Sequence, residues 1–197
     1  QPPYGVLYPA VLAPGWLFGL DEGQMIVFAQ VSNAVLGAAL VPVLFAILRR
    51  LTDVGFGPAL AAAAIGASLP AAWLTGTVVW AERLLPLLVA LAVLLFLRLR
   101  EAPSLGRGAG VALVAAALFA AHPRTVAVAL VVLAAAGWIL VVGQRRRLAT
   151  GVAGAGLIGL AAAELARRAL AQATFGADAT YDGADLASRR GFDELPD

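Results

Sequence analysis

The chain has 197 residues, of which 61% are hydrophobic and 13% are charged, and its mean hydropathy is +0.89. A soluble domain carries about twice that share of charged residues. It also could not bury so much apolar surface, so the composition excludes a soluble enzyme and a disordered chain. The sequence contains no cysteine, which excludes disulfides, thiol nucleophiles and thiolate metal sites. We therefore predict an all-α integral membrane bundle, because a helix pairs its backbone amides within itself.

The N-terminus does not resemble the start of a gene product. Residue 1 is glutamine, and the single methionine, Met25, lies inside an apolar segment. The first residues have no basic lead and no cleavage pattern, so they do not resemble a signal peptide. We predict that the chain is one part of a longer polypeptide. The rest of that polypeptide is then a partner of this chain.

Six uncharged apolar stretches follow one another along the chain, and none alternates in polarity as a barrel strand would. Crossing ~30 Å of hydrocarbon takes about 20 helical residues at 1.5 Å each. The predicted transmembrane bundle occupies residues 1–168, with about six helices, of which the third and fourth are short. Residues 169–197 are predicted to form a polar extracytoplasmic loop or the start of a further segment. The predicted spans are about 24–48, 57–79, 83–99, 108–121, 125–143 and 148–167.

The arginines predict the direction of these helices. All 14 basic residues are arginine. Eight of them lie in every second one of the short loops that connect the predicted helices. The positive-inside rule makes those connections cytoplasmic. We therefore predict a multi-pass protein of the plasma membrane, with its site on the extracytoplasmic side. The eight are Arg49, Arg50, Arg98, Arg100, Arg107, Arg145, Arg146 and Arg147.

The short helices leave polar residues at their extracytoplasmic ends. Glu82 and Arg83 precede the third helix, and His122, Pro123 and Arg124 separate the fourth from the fifth. Pro123 disfavours helical geometry at His122. A charge facing lipid at depth costs at least ~2.5–3.5 kcal/mol on insertion scales, so such residues face water or one another. We predict that these charged residues and His122 line one recess; the alternative is ordinary interfacial turns whose side chains snorkel to water.

Residues Gly154–Gly159 match the G-x-G-x-x-G pattern of dinucleotide-binding folds. That pattern requires a preceding strand, whereas here it lies within a predicted membrane helix. Small residues that let helices approach closely explain it better, and we predict that Gly151, Ala155 and Gly159 do so.

The sequence predicts no metal site and no cofactor, but it leaves open whether the protein uses a divalent cation. Asp178, Asp182 and Asp185 fit no Ca²⁺ loop and are typical of a solvated acidic loop. A single histidine excludes a multi-histidine zinc site within the chain. The arginines lie at the ends of apolar segments, so the net positive charge of the chain does not predict a nucleic-acid partner.

Three segments of the sequence, Tyr4–Pro14, Glu82–Leu97 and Gly108–Leu140, resemble in their order and spacing the GT-C-type polytopic membrane glycosyltransferases. Residues Tyr4–Pro14 are similar to that superfamily's Y-G-x-x-Y-P-x-x-x-x-P segment at the start of a membrane helix. Residues Glu82–Leu97, an acidic residue before a leucine-rich helix, resemble a mid-chain helix. Residues Gly108–Leu140, with His-Pro-Arg between two apolar helices, resemble a helix pair of the family.

The resemblance implies an enzyme that transfers a sugar from a polyprenyl-phosphate donor to an extracytoplasmic acceptor. Its partners are then the lipid-linked donor and membrane lipid. In that family the catalytic acid lies in the first external loop, which here falls upstream of residue 1, so the catalytic residue is unknown. Asp21 and Glu22 lie between the arms of a predicted helical hairpin, where a turn role is expected.

Transfer from such a donor needs a cation near the leaving phosphate, because negative charge grows there. Arginine binds phosphate with two hydrogen bonds, so we expect Arg124 first and then Arg83 to contact it. Glu82 would orient an acceptor hydroxyl or pair with an arginine, and His122 would donate or carry a proton. The competing hypotheses are a transporter or flippase segment, whose broken helices look similar, and a structural subunit without a site.

Overall fold

All of the regular secondary structure described for this protein is helical. A computed structural model describes residues 6–68 and 84–175, and no strand occurs in these ranges. The all-α prediction is therefore confirmed for this part of the chain. The helices are α1 (Leu7–Leu17), α2 (Glu22–Leu51), α3 (Phe56–Ala67), α4 (Leu84–Glu101), α5 (Leu105–Ala121), α6 (Val126–Val142) and α7 (Arg146–Phe175), and a 3₁₀ turn (Pro123–Thr125) joins α5 to α6.

Three of the described helical segments are long and apolar enough to cross a membrane: Glu22–Leu51, Pro123–Val142 and Arg146–Leu170. The protein is accordingly a helical membrane protein, as its composition predicts. The helices α4 and α5 have 18 and 17 residues. Part of the predicted span 57–79 lies outside the described residues, so six crossings stay a prediction.

The last helix is longer than its apolar stretch. It continues to Phe175, seven residues beyond the predicted end of the bundle at residue 168. Its charged residues sustain the helix, because Arg167 and Arg168 lie three and four residues after Glu164 and bond its carboxylate. Neither glycine nor proline occurs between Gly159 and the end of α7, so nothing in the local sequence breaks the helix there.

A tight hairpin joins α1 to α2. Gly19 has a φ of +69°, and hydrogen bonds from its N–H to Trp16 and from Leu20 N–H to Gly15 close the turn. This αL conformation favours glycine, which has no Cβ to clash. Asp21 then caps α2 by accepting a hydrogen bond of 2.8 Å from Gln24 N–H. The turn role expected of Asp21 is confirmed.

The helix α5 lies at the centre of the described bundle, in contact with α4, α6 and α7. Around it is a core in which seven of the sixteen buried residues described are alanine. The large side chains of α6 and α7, such as Trp138 and Ile158, are about 70% exposed and point outward. Small residues therefore face the neighbouring helices and large ones face the lipid, which brings the helix axes close together.

Small residues in the glycine pattern of α7 let neighbouring helices pack closely, as predicted. Some of these residues differ from the predicted ones. A Cβ on Gly156 would lie 2.5 Å from Leu133 Cδ2, and one on Gly159 would lie 2.8 Å from Ala116 Cβ. Gly151 and Ala155 are exposed instead, so their predicted packing role is wrong. The face that α7 presents to the bundle contains Val152, Gly156 and Gly159, which lie one turn apart along the helix.

We expect Gly156→Ala to destabilise the protein relative to Gly151→Ala by about 1–3 kcal/mol. Both substitutions gain the same helix propensity, but only the first forces a methyl group against the buried Leu133, whereas nothing lies within 4 Å of a Cβ at Gly151. Unfolding in mixed detergent micelles with increasing denaturing detergent, followed by circular dichroism, measures the difference. Equal stabilities would show that the α6–α7 contact is not tight.

The turn between α6 and α7 has a non-glycine residue in a left-handed conformation. Gln144 has a φ of +58°. Its N–H bonds Val141 O at 3.0 Å, and Arg145 N–H bonds Leu140 O at 2.8 Å, which is the usual glycine-containing end of a helix. A side chain in this conformation costs about 1–2 kcal/mol.

Replacing Gln144 with glycine should therefore stabilise the protein by about 0.5–1 kcal/mol. The matched variant Gln144→Ala keeps the Cβ and should bring no such gain. The same detergent unfolding experiment compares the two variants with the wild type. A gain for alanine as large as that for glycine would contradict a left-handed backbone at this position.

The contacts between helices place the three arginine-rich connections at one end of the bundle. Arg50 at the end of α2 pairs with Glu101 at the end of α4, with 3.4 Å between Nε and Oε1. At the start of α5, a Cβ on Gly108 would lie 2.5 Å from Val152, near the start of α7. All eight arginines named above thus lie at this end, which we call the arginine-rich end. The α1–α2 hairpin, the start of α4 and the α5–α6 junction lie at the opposite end.

The positive-inside rule predicts that the arginine-rich end is cytoplasmic, and two substitutions test it. The sequence has no cysteine, so Glu22→Cys at the opposite end and Ala102→Cys at the arginine-rich end each introduce a unique, exposed thiol. In intact cells a membrane-impermeant maleimide should label only the first variant. The second should react only after permeabilisation; the reverse pattern would contradict the predicted orientation.

Candidate functional site

The junction between α5 and α6 holds two of the four predicted site residues, His122 and Arg124. His122 ends α5: its N–H donates to Leu118 O at 3.1 Å, and its backbone is extended, with φ −154° and ψ 120°. This extended conformation is the one that Pro123 imposes on the residue before it. The predicted break in the helix at His122 is therefore confirmed.

Side chains fix the conformation of this junction. Arg124 N–H donates to His122 Nδ1 at 3.2 Å. The Thr125 hydroxyl lies 2.6 Å from Leu118 O and 2.7 Å from His122 O, two carbonyls at the end of α5. Leu118 O also accepts the N–H of His122, and His122 O accepts the N–H of Thr125, so the hydroxyl adds a second contact to each carbonyl. The junction is thus a built turn that holds His122 and Arg124 in fixed relation.

The two side chains differ in their exposure. His122 is only 8% exposed, and because its Nδ1 accepts a hydrogen bond, the proton of the neutral ring lies on Nε2. Arg124 is exposed, and no carboxylate within residues 6–68 and 84–175 pairs with its guanidinium. The junction therefore presents an unpaired cation beside a ring nitrogen that can donate.

Glu82 and Arg83, the other two predicted site residues, lie outside the described residues. The next residue, Leu84, begins α4 and is buried in the same core cluster as Ala121, the last residue of α5. The helices α4 and α5 form an antiparallel pair joined by residues 102–104, so their far ends coincide at the opposite end of the bundle. Whether the four side chains share a recess stays a prediction.

The sequence analysis did not identify a charged cluster on α7. The Glu164 carboxylate accepts hydrogen bonds of 2.8 and 2.7 Å from Arg167, and one of 2.7 Å from Arg168 Nε. The side chains of Glu164 and Arg167 are 26% and 22% exposed, whereas that of Arg168 is 68% exposed. The E-x-x-R-R spacing was a usable signal, because residues three and four apart share a helix face.

The register between α5 and α7 gives the height of this cluster in the bundle. The two helices run parallel: Gly108 lies against Val152 and Ala116 against Gly159. Continuing this register by five residues brings Glu164 to the level of Ala121, where α5 ends. The cluster therefore lies at the same end of the bundle as His122 and Arg124.

A buried polar pair connects α1 to α2 and was also missed from the sequence. Tyr8 Oη donates to Asn33 Oδ1 at 3.0 Å, and the two residues are 5% and 1% exposed. Hydrogen bonds between membrane helices contribute about 0.6 kcal/mol on average. Asn33 within a long uncharged stretch was the available signal.

No group of three or more histidine, cysteine, aspartate or glutamate residues within 6–68 and 84–175 could hold a metal ion. Asp178, Asp182 and Asp185 lie outside the described residues. No protein-family model, curated protein or solved structure matches the chain. The fold is that of a helical membrane protein. The chemistry of the α5–α6 junction is inferred from the geometry of that junction.

Proposed function

We propose that this chain is part of a membrane glycosyltransferase that moves a sugar from a polyprenyl-phosphate donor to an extracytoplasmic acceptor. The chain crosses the plasma membrane six times in this proposal. The α5–α6 junction, together with Glu82 and Arg83, forms the recess that binds the donor phosphate.

The observation that carries this proposal is the exposed guanidinium of Arg124, which pairs with no carboxylate of the described residues, at a fixed turn between two apolar helices. A cation in that position is costly unless it meets water or an anion. The orientation of the protein in the membrane explains the positions of the arginines at the arginine-rich end. Arg124 lies at the other end of the bundle, where this explanation does not apply. A role in binding an anion at the membrane surface explains its position there.

The length of α5 supports a recess at this end. At 1.5 Å per residue, α5 extends about 26 Å, against ~30 Å for the hydrocarbon core. Its end would then lie slightly below the headgroup level, where a lipid-linked phosphate and its isoprenoid tail are both within reach.

The chemistry of transfer fits the groups at the junction. Breaking the bond between the sugar and the phosphate leaves negative charge on the phosphate oxygens. Arg124 would stabilise that charge with two parallel hydrogen bonds, which are stronger in a site of low dielectric constant than in water. His122 Nε2–H would donate to a phosphate or acceptor oxygen, and Glu82 would orient the acceptor hydroxyl.

We expect Arg124→Ala to lower sugar transfer at least about a hundredfold, because it removes a charged donor from the transition state. Arg124→Lys should recover part of the rate, since lysine keeps the charge but not the two-pronged geometry. Membranes from cells that express the complete polypeptide are incubated with hexosyl and pentosyl polyprenyl-phosphate donors, and the release of polyprenyl phosphate is measured.

Arg147→Ala is the matched control for this experiment, because it removes one exposed arginine at the arginine-rich end. It should leave transfer unchanged. Undiminished transfer in Arg124→Ala would remove Arg124 from the site. An absence of transfer by the wild type from either donor class would contradict the proposed activity.

A further inference from the structure

The arginine-rich end carries a large excess of positive charge. Within the described ranges it contains eight arginines and only two acidic residues, Asp53 and Glu101, which leaves six net positive charges. Glu101 pairs with Arg50, so one of these two carboxylates is already occupied. Membrane orientation explains the sign of this charge but does not identify what the guanidinium groups bind.

The arginines at this end fall into two groups. Three donate to the chain itself: Arg49 to Val54 O at 2.7 Å, Arg50 to Ala46 O at 3.0 Å, and Arg107 to both Arg98 O and Ala102 O at 2.8 Å. The other five are exposed and have no side-chain partner within residues 6–68 and 84–175. They are Arg98, Arg100, Arg145, Arg146 and Arg147.

These five residues, here called the open arginines, lie on either side of one helix end. Arg98 and Arg100 are in the last turn of α4, and Arg145–Arg147 lie where α6 passes into α7. The start of α5 lies between them: Arg107 bonds the end of α4, and Gly108 contacts Val152 of α7. The open arginines thus border a single surface at one end of the bundle.

The depth of this surface is that of lipid headgroups. Trp138, 70% exposed, lies seven residues before Arg145 on the outer face of α6, and the side chain of Val142 beyond it is 62% exposed. Exposed tryptophan at the end of an apolar helix is typical of the membrane interface. A ligand bound by the open arginines would therefore have apolar protein surface directly below its charged group.

We propose that the open arginines bind the headgroup phosphate of anionic phospholipids in the adjoining leaflet. Guanidinium groups form paired hydrogen bonds with phosphate, and basic residues beside a membrane are attracted to anionic lipid. The acyl chains of such a lipid lie along the exposed apolar faces of α6 and α7. This interaction is independent of the proposed sugar transfer, because it occurs at the other end of the bundle.

Native mass spectrometry of the whole chain in detergent micelles tests this proposal. Phosphatidylglycerol and phosphatidylcholine with identical acyl chains are titrated separately, and the bound lipid is counted. The wild type should bind phosphatidylglycerol about tenfold more tightly, and the preference should weaken with added salt. The triple variant Arg145→Gln, Arg146→Gln, Arg147→Gln should lose most of this preference, and Arg98→Gln with Arg100→Gln should lose part of it.

The matched control is Arg49→Gln with Arg50→Gln, which removes two charges from the same end but from side chains that already bond the chain. This variant should keep more of the preference for phosphatidylglycerol than Arg98→Gln with Arg100→Gln. Unchanged helicity by circular dichroism confirms the folding of all variants.

Equal binding of both lipids by the wild type would overturn the proposal. An equal loss in both double variants would show a general charge effect, and displacement of lipid by inorganic phosphate at equal concentration would show a site for free phosphate. Either result would also overturn it.

Discussion

The close approach of α5 to its neighbours is the constraint on which the rest of this structure depends. Lipid is as apolar as a leucine side chain, so burying apolar surface does not by itself hold membrane helices together. Van der Waals contact between closely spaced backbones does so instead, and it requires small residues where the axes approach. Gly108 and Gly159 provide such positions between α5 and α7, and Gly156 provides one between α7 and α6, since a Cβ on each would lie within 2.8 Å of a neighbouring side chain.

This packing also determines which charged groups meet at each end of the bundle. The parallel register of α5 and α7 places the cluster of Glu164, Arg167 and Arg168 at the same end of the bundle as the junction that carries His122 and Arg124. The antiparallel pairing of α4 with α5 places the open arginines at the other end. The described residues therefore give the two ends different chemistry: at one, a fixed turn whose exposed Arg124 pairs with no described carboxylate, and at the other, a broad basic surface.

The junction between α5 and α6 illustrates how a local sequence signal becomes a site. Pro123 forces His122 out of the helix, and the carbonyls of Leu118 and His122 both lie within hydrogen-bonding distance of the Thr125 hydroxyl. Because His122 Nδ1 accepts the N–H of Arg124, the ring has one defined orientation and one remaining donor. A rigid turn of this kind loses little conformational freedom when a ligand binds, which favours binding of an anion.

The sequence alone determined the all-helical class of the described chain, the break at His122 and the grouping of eight arginines in alternate connections. These features depend on local composition and on proline, whose effects do not require neighbours. Only the tertiary structure decided which face of α7 packs inward, because in a membrane the lipid-facing side is also apolar and periodicity carries no signal. For the same reason Gly151 and Ala155 were assigned to the wrong face. The position of the Glu164 cluster at the end of the bundle that carries His122 and Arg124 followed only from the register of α5 against α7.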